Sequence, residues 1–164
     1  MELTKNEHPE FVGLDSLKNA QASQLTLFEE WARHNDWQQF HSTHYDWWMF
    51  PYSHPSQFAF KYVVFASEIQ ELKQDAVFIR NYLRGVELLL LSWGWDLQQG
   101  AVVPAPAPDQ TWHNWPIRLY KCAMSLHEFG FMAEFNSVRN YARLLIGQGV
   151  SFEYNGRDLS TLFN

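Results

Sequence analysis

Residues 41–55, with the sequence HSTHYDWWMFPYSHP, bring together more chemically capable side chains than any other stretch of the chain. Three of the seven histidines lie here, and His41 and His44 would share one face of a helix because they are three positions apart. Together with Asp46 they could ligate a metal ion such as zinc, iron or manganese. The alternative is a hydrogen-bonded aromatic surface without a metal, since the H-E-x-x-H signature of zinc enzymes is absent.

The same stretch and its surroundings carry aromatic residues in or next to predicted loops and helix starts. They are Trp37, Trp47, Trp48, Phe50, Tyr52, Trp112 and Trp115. Trp and Tyr in such places often anchor binding partners or line pockets, although they also fill a core where loops cross it. We therefore predict a non-catalytic binding module whose aromatic surface binds a peptide, a protein or a hydrophobic small molecule. The alternative is a metal-dependent enzyme or metal-binding protein centred on His41, His44 and Asp46. No cofactor is predicted.

Two arginines offer a further candidate site. Arg80 and Arg84 are one helical turn apart and could together clamp an anionic group. The alternative is that they pair with Glu87 or other carboxylates on the helix surface.

Nucleophilic catalysis has weaker support. Ser42, Ser53 and Cys122 are possible nucleophiles, but no G-x-S-x-G elbow holds any of them. Cys122 lies in the apolar helical pattern IRLYKCAMSL, which favours a buried structural thiol.

Composition narrows the class of protein. The chain of 164 residues favours one domain, and its aromatic fraction of 17% predicts a core of large flat side chains. A net charge of -6 without a basic run argues against nucleic-acid binding. No apolar run reaches the roughly 18 residues of a transmembrane helix, and the polar, acidic first residues do not resemble a signal peptide, so a cytoplasmic location is expected. The oligomeric state is left open.

The elements that would position these residues are helical. We predict a loosely ordered N-terminal arm over residues 1–22 and a single helical domain over 23–164, starting at the N-cap Ser23. The longest helix, near 76–93, has Asp75 as its N-cap and an apolar stripe, so it should be central. A proline-rich loop over 97–111 precedes a helix over 117–129, with Asn114 as its cap and Pro116 in its first turn, and a final helix from Phe131 to about Ile146. The fold class is thus all-α, an irregular bundle of five or six helices, with a possible small hairpin near 58–65 or 150–157.

Several short motifs resemble the conserved N-terminal region of the opioid growth factor receptor family. They are HYDWWMFP at 44–51, EIQELKQD at 68–75, LLSWGWDL at the end of the long helix, the NW-x-x-R stretch at 114–118 and LHEFGF at 126–131. The resemblance covers roughly residues 44–146. It implies an all-helical domain and, from the animal proteins that name the family, binding of an enkephalin-type peptide. It implies no catalytic residues.

Overall fold

The structure, a computed structural model, describes residues 4–164 and is mostly helical, as predicted. The part of the chain that the structure describes contains seven α-helices: α1 (Leu14–Arg33), α2 (Gln38–Ser42), α3 (Asp46–Met49), α4 (Ala66–Gln74), α5 (Ala76–Ser92), α6 (Pro116–Phe129) and α7 (Met132–Gly147). This number exceeds the predicted five or six because residues 46–49 form a short helix of their own. Two antiparallel ribbons pair β1 (Trp95–Asp96) with β2 (Ala101–Val102) and β3 (Glu153–Tyr154) with β4 (Arg157–Asp158). None of the helices within residues 4–164 is long and apolar enough to cross a membrane.

Helix α5 is the centre of the core, as its apolar stripe predicts. Asp75 caps it, since the Phe78 amide donates to Asp75 Oδ1 at 3.0 Å. Its second half is buried nearly all round, with Leu88, Leu89 and Leu90 inaccessible to solvent. Helix α1 packs along α5, and α6 and α7 pack against each other. Aromatic side chains fill the space between these helices, which accounts for the high aromatic content.

The start of the first helix differs from the prediction. Helix α1 begins at Leu14, nine residues before Ser23, so residues 14–22 belong to the helical body rather than to an arm. Leu17 is fully buried, and the Gln21 side chain donates to the Phe78 carbonyl of α5 at 3.2 Å. The preceding chain is also tied down, because the Asn6 amide group donates to the carbonyls of Phe60 and Val63 at 2.9 and 2.8 Å. Residues 1–3 of the predicted arm lie outside the described residues.

Two other local predictions differ from the structure. Helix α4 starts at Ala66 and is capped by Glu68, whose side chain accepts from the backbone amide of Phe65 at 3.0 Å. The predicted capping box of Ser67 and Gln70 is not used. Residues 58–65 are a series of turns that ends in buried Val63 and Val64. The predicted hairpin occurs instead at β3–β4, around the Asn155-Gly156 turn, and the β1–β2 ribbon was not predicted.

A proline-rich loop, residues 103–113, crosses between the α1–α5 half and the α6–α7 half of the chain. Its fixed point is Gln110, which is 8% exposed. Its side-chain Nε2 donates to the Leu91 carbonyl at 2.9 Å, and its side-chain Oε1 accepts from the backbone amide of Ala107 at 3.1 Å. The loop is thus held against the end of α5, and α6 begins beyond it with Pro116 in its first turn.

Candidate functional site

Arg118 of α6 organises the region around residues 40–47. Its side chain is 1% exposed and extends from α6 toward α2 and α3. Its Nε donates to Asp46 Oδ1 at 2.7 Å, and its terminal nitrogens donate to the carbonyls of Phe40 at 2.7 Å and Thr43 at 2.9 Å. The Tyr45 hydroxyl lies 3.1 Å from Nη1 and the Tyr45 ring lies 4.4 Å from Cζ. The buried guanidinium therefore has a charged partner and several carbonyl acceptors, as burial of a charge requires.

The three residues predicted as metal ligands do not form a ligand set. Asp46 is engaged by Arg118 and, at 3.9 Å, by the Lys121 ammonium. His41 Nε2 bonds the Asp109 carbonyl at 2.8 Å, and His44 is exposed with its ring edge-to-face against Trp115. Within residues 4–164 no group of three or more His, Cys, Asp or Glu side chains is placed to hold a metal ion. Asp46 instead serves as the counter-ion of buried cations.

His41 is part of a different arrangement, a stacked pair of imidazoles. Its ring lies 3.8 Å from that of His113, with an angle of 13° between the planes. Burial lowers the pKa of His41, and the nearby His113 and Arg118 lower it further, against the raising effect of the bond to the Asp109 carbonyl. The pair joins α2 to the proline-rich loop.

Four aromatic side chains form a partly exposed cluster in which each ring contacts two of the others. We call it the aromatic quartet, and its members are Trp47, Trp48, Phe58 and Tyr62. Trp47 contacts Trp48 at 6.1 Å and Phe58 at 4.7 Å between ring centroids. Tyr62 closes the cluster, at 5.5 Å from Trp48 and 5.8 Å from Phe58. Three of the four contacts are edge-to-face, a favoured geometry for aromatic pairs. Phe58 is 39% exposed, and the other three are half-buried.

Two lysines flank the quartet. Lys61 is exposed and its Nζ lies 5.4 Å from the centroid of the Tyr62 ring. Lys121 approaches from the interior, with Nζ 4.7 Å from the centroid of the Trp47 ring. Both are cation–π contacts, and they give the quartet a positive border in a chain whose net charge is -6.

A small pocket opens beside the quartet. Its volume is about 20 Å³, enough for a single water molecule. The wall includes two quartet residues, Trp47 and Tyr62, and also Asp46, Tyr52 and Lys121. Lys121 is 7% exposed, and burial lowers its pKa against the opposing effect of Asp46. Burial also raises the pKa of Tyr52 to about 12, so that hydroxyl stays protonated at neutral pH.

The seven aromatic residues predicted as one surface are divided by the fold. Trp47, Trp48 and Tyr52 lie at the quartet and its pocket. Trp37 and Phe50 are core residues at 3% and 0% exposure, although Phe50 also closes the pocket from inside. The two late tryptophans lie elsewhere: Trp112 packs on Trp93 at 5.0 Å, and Trp115 stacks on Arg118 and donates to the His41 carbonyl at 3.1 Å.

The two predicted anion-binding arginines line the same groove, but Arg84 is already paired with carboxylates. Arg84 bonds the carboxylates of Glu29 and Glu87, and the hydrogen bond to Glu29 contributes most to raising its pKa. Arg80 is exposed on the rim of an open groove of about 410 Å³ between α5 and α7. That groove contains Glu87 and Glu134 as well, so its charges are mixed.

The predicted nucleophiles are engaged or inaccessible. Ser42 donates to the Gln38 carbonyl of its own helix at 2.8 Å. Ser53 donates to Glu128 Oε1 at 2.5 Å, and its backbone amide donates to Glu128 Oε2 at 3.0 Å, which fixes the loop after Pro51 to α6. Cys122 is fully buried, and burial raises the pKa of its thiol well above the usual range.

Sequence reasoning missed Phe58, Tyr62, Arg118 and Lys121. The sequence does contain a signal for Arg118 and Lys121. Arg118, Lys121, Cys122 and Ser125 occur at i, i+3, i+4 and i+7, so they form one helical stripe, and all four are buried. A polar stripe with this spacing on an otherwise apolar helix indicates a buried polar network. The pairing of Phe58 and Tyr62 with the two tryptophans had no comparable signal, because it depends on the path of the 51–63 loop.

Comparison of the chain with protein-family models, with curated proteins and with solved structures gives no significant match. The resemblance to the opioid growth factor receptor region stays a prediction.

Proposed function

We propose that the protein is a non-catalytic binding module whose ligand lays apolar surface on the aromatic quartet. The ligand is a hydrophobic small molecule or the apolar side chains of a peptide or protein partner. The observation that carries the proposal is the quartet itself, four large rings in contact with one another and partly exposed to solvent. Clustered, partly exposed aromatic residues are typical of binding hot spots, whereas apolar residues scattered singly over a surface are ordinary.

The contacts that hold the two tryptophans of the quartet in place also favour the proposal. Trp48 is held by a hydrogen bond from its indole nitrogen to Gln24 Oε1 at 3.3 Å. Trp47 belongs to α3, whose neighbour Asp46 is fixed by the buried Arg118. Rings that are already ordered lose little side-chain entropy when a ligand binds, so a rigid aromatic surface favours affinity.

The test is a ligand-observed NMR screen on the full chain, with neutral aromatic fragments and hexapeptides that are acetylated and amidated at their ends. We expect the binders found in this screen to shift the indole N–H signals of Trp47 and Trp48 in ¹H–¹⁵N spectra of the labelled protein, and we expect Phe58→Ser to weaken their binding about tenfold. Met132→Ser is the matched control, because Met132 is an apolar side chain of similar exposure at the start of α7, 44% against 39% for Phe58. Binders that respond equally to both substitutions, or no binders at all, would contradict the proposal.

A further inference from the structure

We propose that the pocket beside the aromatic quartet binds a carboxylate, and that the ligand is a small hydrophobic carboxylic acid. Its carboxylate would meet the Lys121 ammonium, and its apolar body would lie on the quartet. The second part rests on the proposed function, whereas the first part stands on the pocket alone.

The buried charges around the pocket do not balance. Asp46, Arg118 and Lys121 are 5%, 1% and 7% exposed. Arg118 Nε bonds the Asp46 carboxylate at 2.7 Å and thereby neutralises it. Lys121 Nζ, at 3.9 Å from Asp46 Oδ2, is beyond hydrogen-bond length. The set carries one excess positive charge, and a buried cation is costly unless an anion compensates it or it loses its proton.

The wall of the pocket contains a cation that lacks an acceptor. Among residues 4–164 the Lys121 ammonium makes no hydrogen bond, and burial lowers its pKa. Trp47 and Tyr52 also line the wall. Among the same residues the buried indole nitrogen of Trp47 has no partner, and the hydroxyl of Tyr52 stays protonated. A ligand that supplies acceptor oxygens and a negative charge would satisfy what these groups lack.

The size of the pocket decides how such a ligand would lie. A volume of about 20 Å³, room for one water-sized group, admits one oxygen of a carboxylate and little more. The rest of the molecule must remain at the mouth, where Trp47 and Tyr62 belong both to the pocket and to the quartet. A carboxylate attached to a flat or aliphatic body fits this arrangement.

The chain around the pocket favours a small acid over a peptide. Peptide recognition commonly uses free backbone groups at a strand edge. In the loop beside the quartet, the amides of Ser56, Ala59, Lys61 and Val63 are instead bonded to carbonyls of the same loop. A peptide therefore finds no free backbone amide to bind at these four residues, and a ligand with few amide groups gives up no such hydrogen bond.

The experiment measures the dissociation constants of 4-phenylbutanoate and of 4-phenylbutanamide, its neutral analogue of the same shape, with the full chain. We expect the acid to bind about 10- to 100-fold more tightly than the amide, the range of a charge-assisted hydrogen bond. Lys121→Met should remove this difference. Lys73→Met should leave it intact, because Lys73 lies over the Phe131 ring, another lysine–aromatic contact away from the pocket.

The remaining outcomes separate the two proposals. Equal binding of acid and amide, both weakened by Phe58→Ser, would overturn the carboxylate site and leave the binding module. Preference for the acid that depends on Lys121 but not on Phe58 would support the carboxylate site and overturn the role of the quartet. Tighter binding of an acetylated tetrapeptide with a free carboxyl end would overturn the small-molecule assignment. If Lys121→Met fails to fold, ¹⁵N NMR of Lys121 in the wild type decides: saturating 4-phenylbutanoate should raise its pKa, and an unchanged value overturns the inference.

Discussion

Replacement of Arg118 by Met should be among the most destabilising single substitutions in the chain. Met retains much of the apolar stem but leaves the buried Asp46 carboxylate with only Lys121, at 3.9 Å. The carbonyls of Phe40 and Thr43 also lose the donors that Arg118 supplies. Breaking a buried ion pair on one side costs about 3–5 kcal/mol. Against a typical total of roughly 5–15 kcal/mol, that is a large fraction of the stability.

Urea denaturation with linear extrapolation measures the effect, and thermal unfolding provides a second reading. For a domain of this size, each kcal/mol shifts the midpoint temperature by about 2–4 °C, so a drop of roughly 6–20 °C is expected. The matched control is Arg84→Met. Arg84 also joins two carboxylates, Glu29 and Glu87, but its side chain is 40% exposed. That loss should stay below about 1 kcal/mol. Equal losses for the two variants would refute the assignment of Arg118 as the organising cation.

Three further predictions concern single groups. Because the pKa of His41 is lower in the folded protein, the unfolded chain binds the proton first as pH falls. The free energy of unfolding should therefore decrease as pH drops from about 7 through the unfolded pKa of 6.5 toward the folded pKa. The urea midpoint of His41→Gln should depend less on pH over this range. The Cys122 thiol should resist Ellman's reagent in the native protein and react once urea unfolds it, and rapid native labelling would contradict its burial. Gly130 ends α6 with a φ of +83°, so Gly130→Ala should cost about 1–2 kcal/mol in the same denaturation assay, whereas Gly147→Ala, at a residue without positive φ, should not.

The amino-acid sequence predicts the helical class and the central helix because those depend on local pattern. The stripe of α5, its cap at Asp75 and the stop at Gly130 all arise within a few residues of chain. The start of α1 was missed because Asp15 and Asn19 lie on its exposed face and resemble a polar arm, while the buried face is defined by Leu17 and Gln21.

The candidate site was only partly predictable for a different reason. The sequence identifies Trp47 and Trp48 as candidate binding residues because they are tryptophans and lie close to prolines. Their partners Phe58 and Tyr62, and the cation Lys121, reach them through the loop path and through packing of α6 against α3. These contacts join residues 11 to 74 positions apart along the chain and leave no local signature. Within residues 4–164 the structure does not bring His41, His44 and Asp46 together as a ligand set, and the sequence gives no sign of this because the partner of Asp46, Arg118, lies 72 positions away.

The proline-rich loop, residues 103–113, has a consequence for connectivity. Many buried polar contacts run across it: Arg118 reaches residues 40–46, Ser125 bonds Pro51 and Tyr82, and Ser137 bonds Trp95 and Leu97. The exposed prolines of the loop serve as a tether that keeps two complementary fragments at high effective concentration. A chain divided there keeps one partner of each of these contacts on either piece, so we expect the two pieces to associate when they are expressed together.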